Sequence, residues 1–199
     1  MTVPTRRWAL LALGALVLGP SPAISAPTRY ALRQSESRVG FRFTLSGVPT
    51  QGSMPVQSAE IVIDPQNLAA SRVDVTVKVI GAQTSLFFAT QALVGPQVLD
   101  AARFPTIRFV SRSVQLARDG RLSGGARISG LLTMRGVTRP ITLNANLLRE
   151  PGSAPDDLRN LIVRLDGVLN RSAFGATGYP DLVGNRVDLD ILAVITALQ

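Results

Sequence analysis

Residues 124–147 read GGARISGLLTMRGVTRPITLNANL, and the alternation inside that stretch decides the fold. Ahead of the middle, Leu122, Gly124, Ala126, Ile128, Gly130, Leu132 and Met134 share one face, at the period of two that a pleated strand imposes. Ser123, Gly125, Arg127, Ser129, Leu131 and Thr133 occupy the other. Arg135-Gly136 then supplies a residue that tolerates the positive φ of a tight hairpin turn. After it, Ile141, Leu143, Ala145 and Leu147 alternate with Thr142, Asn144 and Asn146. The pattern predicts a β-hairpin that is apolar on one side and polar on the other. Such a hairpin needs further strands to cover its apolar face.

The rest of the chain supplies them. A first strand is expected near Tyr30–Leu32. Val39, Phe41, Phe43 and Leu45 alternate with Gly40, Arg42 and Thr44. Gly47, Pro49, Gly52 and Pro55 then read as interrupting turn or edge chemistry, and EIVID at residues 60–64 resumes as a strand. Val73, Val75, Val77 and Val79 form the clearest alternation, and their β-branching favours a strand over a helix. One short helix is expected around residues 84–94, capped by Thr84 or Ser85, docked through Phe87 and Phe88 and closed by Gly95-Pro96. Strands follow at residues 106–116, 161–169 and 187–195, with irregular chain at 171–185. About eight amphipathic antiparallel strands in one domain must hide their apolar faces together. The expectation is an all-β, antiparallel eight-stranded β-barrel, because closure also removes exposed strand edges.

The N-terminus reads as a signal peptide over residues 1–25. Arg6-Arg7 precede an apolar run from Trp8 to Leu18, and Ala23-Ile24-Ser25 places small residues for cleavage after Ser25. That leaves residues 26–199 as one exported domain, expected in the periplasm. The chain has no cysteine, so no disulfide framework exists. Its formal net charge is +8, of which removal of Arg6 and Arg7 takes away two. Lys78 is the only lysine, and the arginines are scattered singly with few aromatics among them. This is the pattern of a solvated basic surface or of weak attraction to anionic lipid, and it carries no nucleic-acid module.

Histidine is absent as well, which removes His-based triads, histidine general bases and most zinc or iron sites. No P-loop or dinucleotide fingerprint is present. Asp188 and Asp190 share the polar face of the last strand, where solvation is the expected role. Asp64, Asp100 and Asp166 stand alone in sequence and offer only a carboxylate-based isomerase or hydrolase as an enzyme reading. The remaining question is whether the barrel is filled or hollow. Gly124, Ala126, Gly130, Ala145, Gly167 and Ala193 are small residues on apolar faces; they leave either a cavity or simply the bends and bulges that strand glycines serve.

With the strands placed, the sequence resembles the YceI-like family of lipocalin-like, isoprenoid-binding periplasmic proteins. The matching segments are SRVGFRF at residues 37–43, DAARFPTIRFVS at 100–111, GLLTMRGVTRPITL at 130–143, NRSAFG at 170–175 and VGNRVDLDI at 183–191. The resemblance implies a lipocalin-like barrel with a helix beside or capping it, and a polyisoprenoid or similar amphiphile inside. No cofactor is expected beyond a bound isoprenoid or quinone-like lipid, and no catalysis, because the residues that usually carry it are missing. Phe41, Phe43, Val75, Val77, Ile107, Phe109, Ile128, Leu132, Ile141 and Leu143 are expected to line the tunnel by face parity, with Phe174 near its mouth. Relatives often carry a histidine where this chain has Leu45, and an Arg-Asp-x-His-Leu run where Ala89 to Leu93 reads ATQAL; both departures point either to a less polar ligand or to a ligand held differently. The alternative reading is an accessory module with a filled barrel that docks a membrane cytochrome b-type partner. Peripheral membrane contact and a homodimer are further partner options.

Overall fold

The computed structural model describes residues 27–64, 67–116, 124–149, 152–154 and 157–198. The signal segment expected over residues 1–25 lies outside them. In chain order the elements are β1 (Thr28–Leu32), β2 (Arg38–Leu45), β3 (Val48–Met54), β4 (Val56–Ile63), β5 (Arg72–Lys78), β6 (Gln83–Thr84), α1 (Phe87–Val94), β7 (Thr106–Leu116), β8 (Ala126–Met134), β9 (Val137–Arg149), β10 (Asn160–Asn170) and β11 (Val183–Ala197).

Every strand pairing is antiparallel, and β1-β4-β5-β7-β8-β9-β10-β11 close into a ring of eight through the pairing of β11 with β1. The expected eight-stranded barrel is therefore the observed architecture. Three further segments extend its staves. β11 is long enough to hold β2 along Val183–Leu192 and β1 along residues 195–197 of the same edge. Between them the chain makes one 3-10 turn at Gln34–Glu36, and the ladder is bridged there by Arg33 N–H donating to Val194 O and by Val194 N–H donating to Ser37 Oγ. β3 and β4 are likewise one stave broken at Pro55, whose carbonyl accepts from Lys78 N–H at 2.9 Å.

The turns follow from residue chemistry. In the hairpin of β8 and β9, Met134 pairs with Val137 and both intervening residues have positive φ, 52° at Arg135 and 75° at Gly136. That is the geometry whose twist matches two right-twisted strands. Ser46 (φ 49°) and Gly47 (φ 80°) make the same kind of turn between β2 and β3. This corrects the expectation that residues 47–55 merely interrupt the sheet. Pro49 is tolerated in β3 because the only other neighbour of that strand, β6, pairs at Gly52 and Ser53 alone, leaving an edge at residue 49.

Two other boundaries differ from expectation. The helix spans Phe87–Val94, with Leu86 at its N-cap and no side-chain cap. Thr84 serves instead as a turn residue, its hydroxyl 3.0 Å from that of Thr90. The last strand begins at Val183 rather than 187, through an irregularity in its pairing with β2 between Val183 and Val187.

The meander gives the barrel two unlike ends. One, the helix end, carries the β2–β3, β8–β9 and β10–β11 connections and the long segment 79–105 that contains α1. The other carries both ends of the described chain and the connections from β4 to β5, β7 to β8 and β9 to β10. This second end is shut by Tyr30, Ile61, Leu161 and Ile195, with Leu147 and Leu158 packed against them. Tyr30 Oη donates to Leu158 O at 2.8 Å, so the plug also carries a hydrogen bond across the closed end.

Candidate ligand-binding site

Between the two ends lies a cavity of about 570 Å³, within the roughly 300–1,000 Å³ range typical of small-molecule sites. The barrel is therefore not filled by its own side chains, which removes the premise of the filled-barrel alternative. The burial pattern gives the same answer. Val73, Val75, Phe109, Val163, Leu165, Leu189 and Ile191 point inward and border the cavity, yet each is only half-buried. Their remaining exposure is toward the lumen.

Each stave contributes by parity. Phe41, Phe43, Val75, Val77, Ile107, Phe109, Ile128, Leu132, Ile141 and Leu143 all border the lumen. Phe41 and Phe43 bring their ring centroids to 6.2 Å at an interplanar angle of 25°. Phe174 lies at the helix end, which holds the mouth, but it does not border the lumen, and this corrects its expected place among the ligand-lining residues. It is 2% exposed and packs with Val98, Leu99, Met134 and Leu169 in a core cluster that closes part of the helix end. The Arg171–Phe174 turn and the left-handed Gly175 (φ 77°) fold the ring back inside.

The small residues divide into two groups. Ala126, Ala145 and Ala193 border the lumen and leave it open. Gly130 and Gly167 do something else. A β-carbon on Gly167 would stand 2.6 Å from Leu143 Cδ2, and one on Gly130 would meet the Phe109 ring at the same distance. These glycines make room for a neighbour's side chain on the inner wall rather than for a ligand. Gly124 is exposed, just ahead of β8.

The polar side chains at the lumen direct their hydrogen bonds to the backbone. Ser71 Oγ accepts from Asp64 N–H, and Ser37 Oγ donates to Arg33 O. Arg171, 5% exposed, donates to Ala176 O, Gly178 O, Val183 O and Gly184 O. Burial pulls its pKa down, although a guanidinium stays charged across the working range. Carbonyl oxygens meet that charge, and the wall left to a ligand is hydrocarbon.

The opening can be located from residues that both line the cavity and face solvent. These are Phe88 (62% exposed), Leu182 (52%) and Tyr179, all at the helix end; every lining residue of the opposite end is buried or half-buried. Leu45, Ala89, Ala92, Leu93 and Val183 line the lumen below them. Leu45 and the segment 89–93 thus meet at one mouth. Parity along β2 already pointed to Leu45, whereas Tyr179 and Leu182 sit in irregular chain that offers no periodicity.

The outer face is polar. Asp188 pairs with Arg186 and Asp190 with Arg38, both exposed, and Asp166 accepts from Asn144. Asp64, Asp100 and Asp166 belong to different connections or staves and form no common site.

A family model described as the YceI-like domain matches residues 30–195. A UPF0312 protein of Enterobacter sp. (strain 638) is 26% identical over 190 residues, covering 95% of each chain. Among solved structures, Burkholderia cenocepacia BcnA superposes with a TM-score of 0.71 at 20% identity, over 82% of this chain and 99% of its own. A polyisoprenoid binding domain from Saccharophagus degradans, implicated in plant cell wall breakdown, gives a TM-score of 0.60 at 12% identity, over 86% and 99%. The match runs from Tyr30 in β1 to Ile195 in β11 and includes every stave of the lumen, so the chain belongs to the YceI-like family.

Proposed function

We propose that this protein is a non-catalytic carrier or store for an apolar chain lipid, a polyisoprenoid or quinone-like molecule, held in the barrel lumen in the periplasm. The observation that carries the reading is the hydrocarbon-walled cavity, shut at one end by Tyr30, Ile61, Leu161 and Ile195 and open at the other beside Phe88, Tyr179 and Leu182. A chain that enters such a lumen gains roughly 0.8 kcal/mol per buried CH₂. A few isoprene units are enough for about micromolar affinity after the cost of association. A polar head gains nothing from a wall whose serines and arginine already serve backbone groups, so it stays at the mouth. Leu45 and the ATQAL segment make that mouth apolar where relatives often carry histidine. The polyisoprenoid named for the Saccharophagus degradans domain is a ligand of matching chemistry on the same fold.

The test is uptake. Delipidated protein titrated with a long-chain prenyl alcohol should bind one molecule saturably, at about micromolar Kd or tighter. A non-saturable signal, or none, contradicts the proposal.

A further inference from the structure

We propose that the open end of the barrel is a docking surface for a bilayer that contains anionic phospholipid. The sequence pattern predicts that Phe87 and Phe88 hold α1 against the barrel. In the structure Phe87 points outward, 78% exposed, and Phe88, 62% exposed, stands at the mouth of the lumen, while Ala89, Ala92 and Leu93 take the inner side. The helix FFATQALV thus exposes two aromatic rings beside Gln91 on its solvent side, and it carries no charge. A surface helix of that kind has an unmet apolar side.

It is not alone. Among the described residues ten large apolar side chains are exposed; Val48, Ile80, Leu86, Phe87, Phe88, Tyr179 and Leu182 belong to segments of the helix end, and only Leu148, Val168 and Leu198 lie elsewhere. The segments are tied to one another. Ser46 N–H donates to Leu182 O, Gly178 N–H to Gln97 O and Ser85 N–H to Gln51 O, so the β2–β3 turn, the β10–β11 loop and the start of α1 form one rim. A clustered apolar rim marks an interaction site, whereas scattered exposed residues do not.

Charge selects the occupant. Among the described residues Lys78, Arg135 and Arg139 lie at this end against one exposed carboxylate, Asp181, while exposed Arg103 is paired at 3.5 Å with the buried Asp100. An apolar rim among cations suits an anionic bilayer surface, where each nearby Lys or Arg adds about 1 kcal/mol. Aromatic and aliphatic side chains sink into the headgroup boundary. Docked in this way, the lumen opens directly into the acyl layer, and a lipid enters or leaves without crossing water. The docking goes beyond the carrier reading and stands or falls separately from it.

The test uses the chain without residues 1–25 and two sets of vesicles, phosphatidylcholine alone and with about one-third phosphatidylglycerol. The protein should sediment with the anionic vesicles, and less so as salt rises from about 0.1 M to 1 M. Phe87→Glu with Val48→Glu, neither of which lines the lumen, should weaken sedimentation by about tenfold or more. Leu148→Glu with Val168→Glu on the outer wall should leave it unchanged. Because the chain has no cysteine, Phe87→Cys and Leu148→Cys each accept a single polarity-sensitive dye, which should shift to the blue on vesicles at residue 87 only. The proposal is overturned by absence of vesicle binding, by equal losses in rim and wall variants, or by a dye response that follows protein concentration and signals self-association. Vesicle binding without prenyl uptake would refute the carrier reading alone. Uptake without vesicle binding would refute the docking alone.

Discussion

The ring of Phe109 occupies the space that a side chain at residue 130 would need: a β-carbon on Gly130 would stand 2.6 Å from its Cε2 and Cζ and 2.5 Å from Val110 O. β7 and β8 are paired neighbours, with Ser111 opposite Gly130, so the glycine lets the aromatic ring lie diagonally across the inner wall. The ring then defines the lumen's width on that side. Gly130→Ala must push the ring inward or open the ladder, and we expect a loss of about 1–3 kcal/mol from overpacking. Phe109→Leu in the same chain should recover part of it, a coupling of roughly 0.5–3 kcal/mol. Urea unfolding of the two single variants and the double variant at unchanged slope measures both.

Arg171 holds the mouth together. Its four hydrogen bonds fasten carbonyls between Ala176 and Gly184, the segment that presents Tyr179 and Leu182. Arg171→Met strands those acceptors, at about 1–3 kcal/mol for each that water does not reach. Arg171→Lys should rescue little, because an ammonium lacks the planar fork. Hydrogen exchange of residues 176–184 should accelerate in both variants while the amides of β8 and β9 stay protected.

A smaller effect is expected at the outer wall. The Arg108 guanidinium donates Nε–H to Asp74 Oδ1 at 2.8 Å and also bonds Asp74 Oδ2, and these hydrogen bonds hold the Asp74 carboxyl below its usual pKa. A carboxyl depressed in the folded state stabilises above its unfolded value of about 3.9 and loses that contribution as pH falls through the folded value. Asp74→Asn should therefore flatten the acid limb of stability below about pH 4. Because the pair is largely solvated, the difference at neutral pH should stay under about 1 kcal/mol. Thermal unfolding of both proteins between acid and neutral pH checks the sign.

Where a strand has one wet face and one dry face, alternation alone reveals its orientation. That is why the sequence alone places Phe41, Val75, Phe109, Ile128 and Leu143 on the inner wall, and why β7 is legible over its full length. What alternation hides is chain that turns without a period. Ser46-Gly47 is a two-residue hairpin loop, but Pro49, Gly52 and Pro55 close behind it imitate a longer irregular segment. Phe174 shares its segment with small and turn-forming residues, and only the left-handed Gly175 returns its ring to the core. The helix defeated sequence reasoning differently: in FFATQALV every side is apolar, so no moment tells which face is inward. Composition likewise could not separate alanines that leave volume from glycines that receive a neighbour, because that depends on the diagonal side chain of the next strand.

A carrier of this kind depends on a lumen that holds lipid because nothing of the protein fills it. The most direct measurement is mass spectrometry of organic extracts from natively purified protein, compared with a variant whose lumen is filled by Ala193→Phe and Leu165→Trp. Both positions line the cavity, and neither belongs to the rim. The wild-type extract should contain a prenyl-type lipid at close to one molecule per chain, and the folded variant should contain almost none. Extracts equally empty for both proteins, with no uptake of added prenyl lipid by the wild type, would contradict the account.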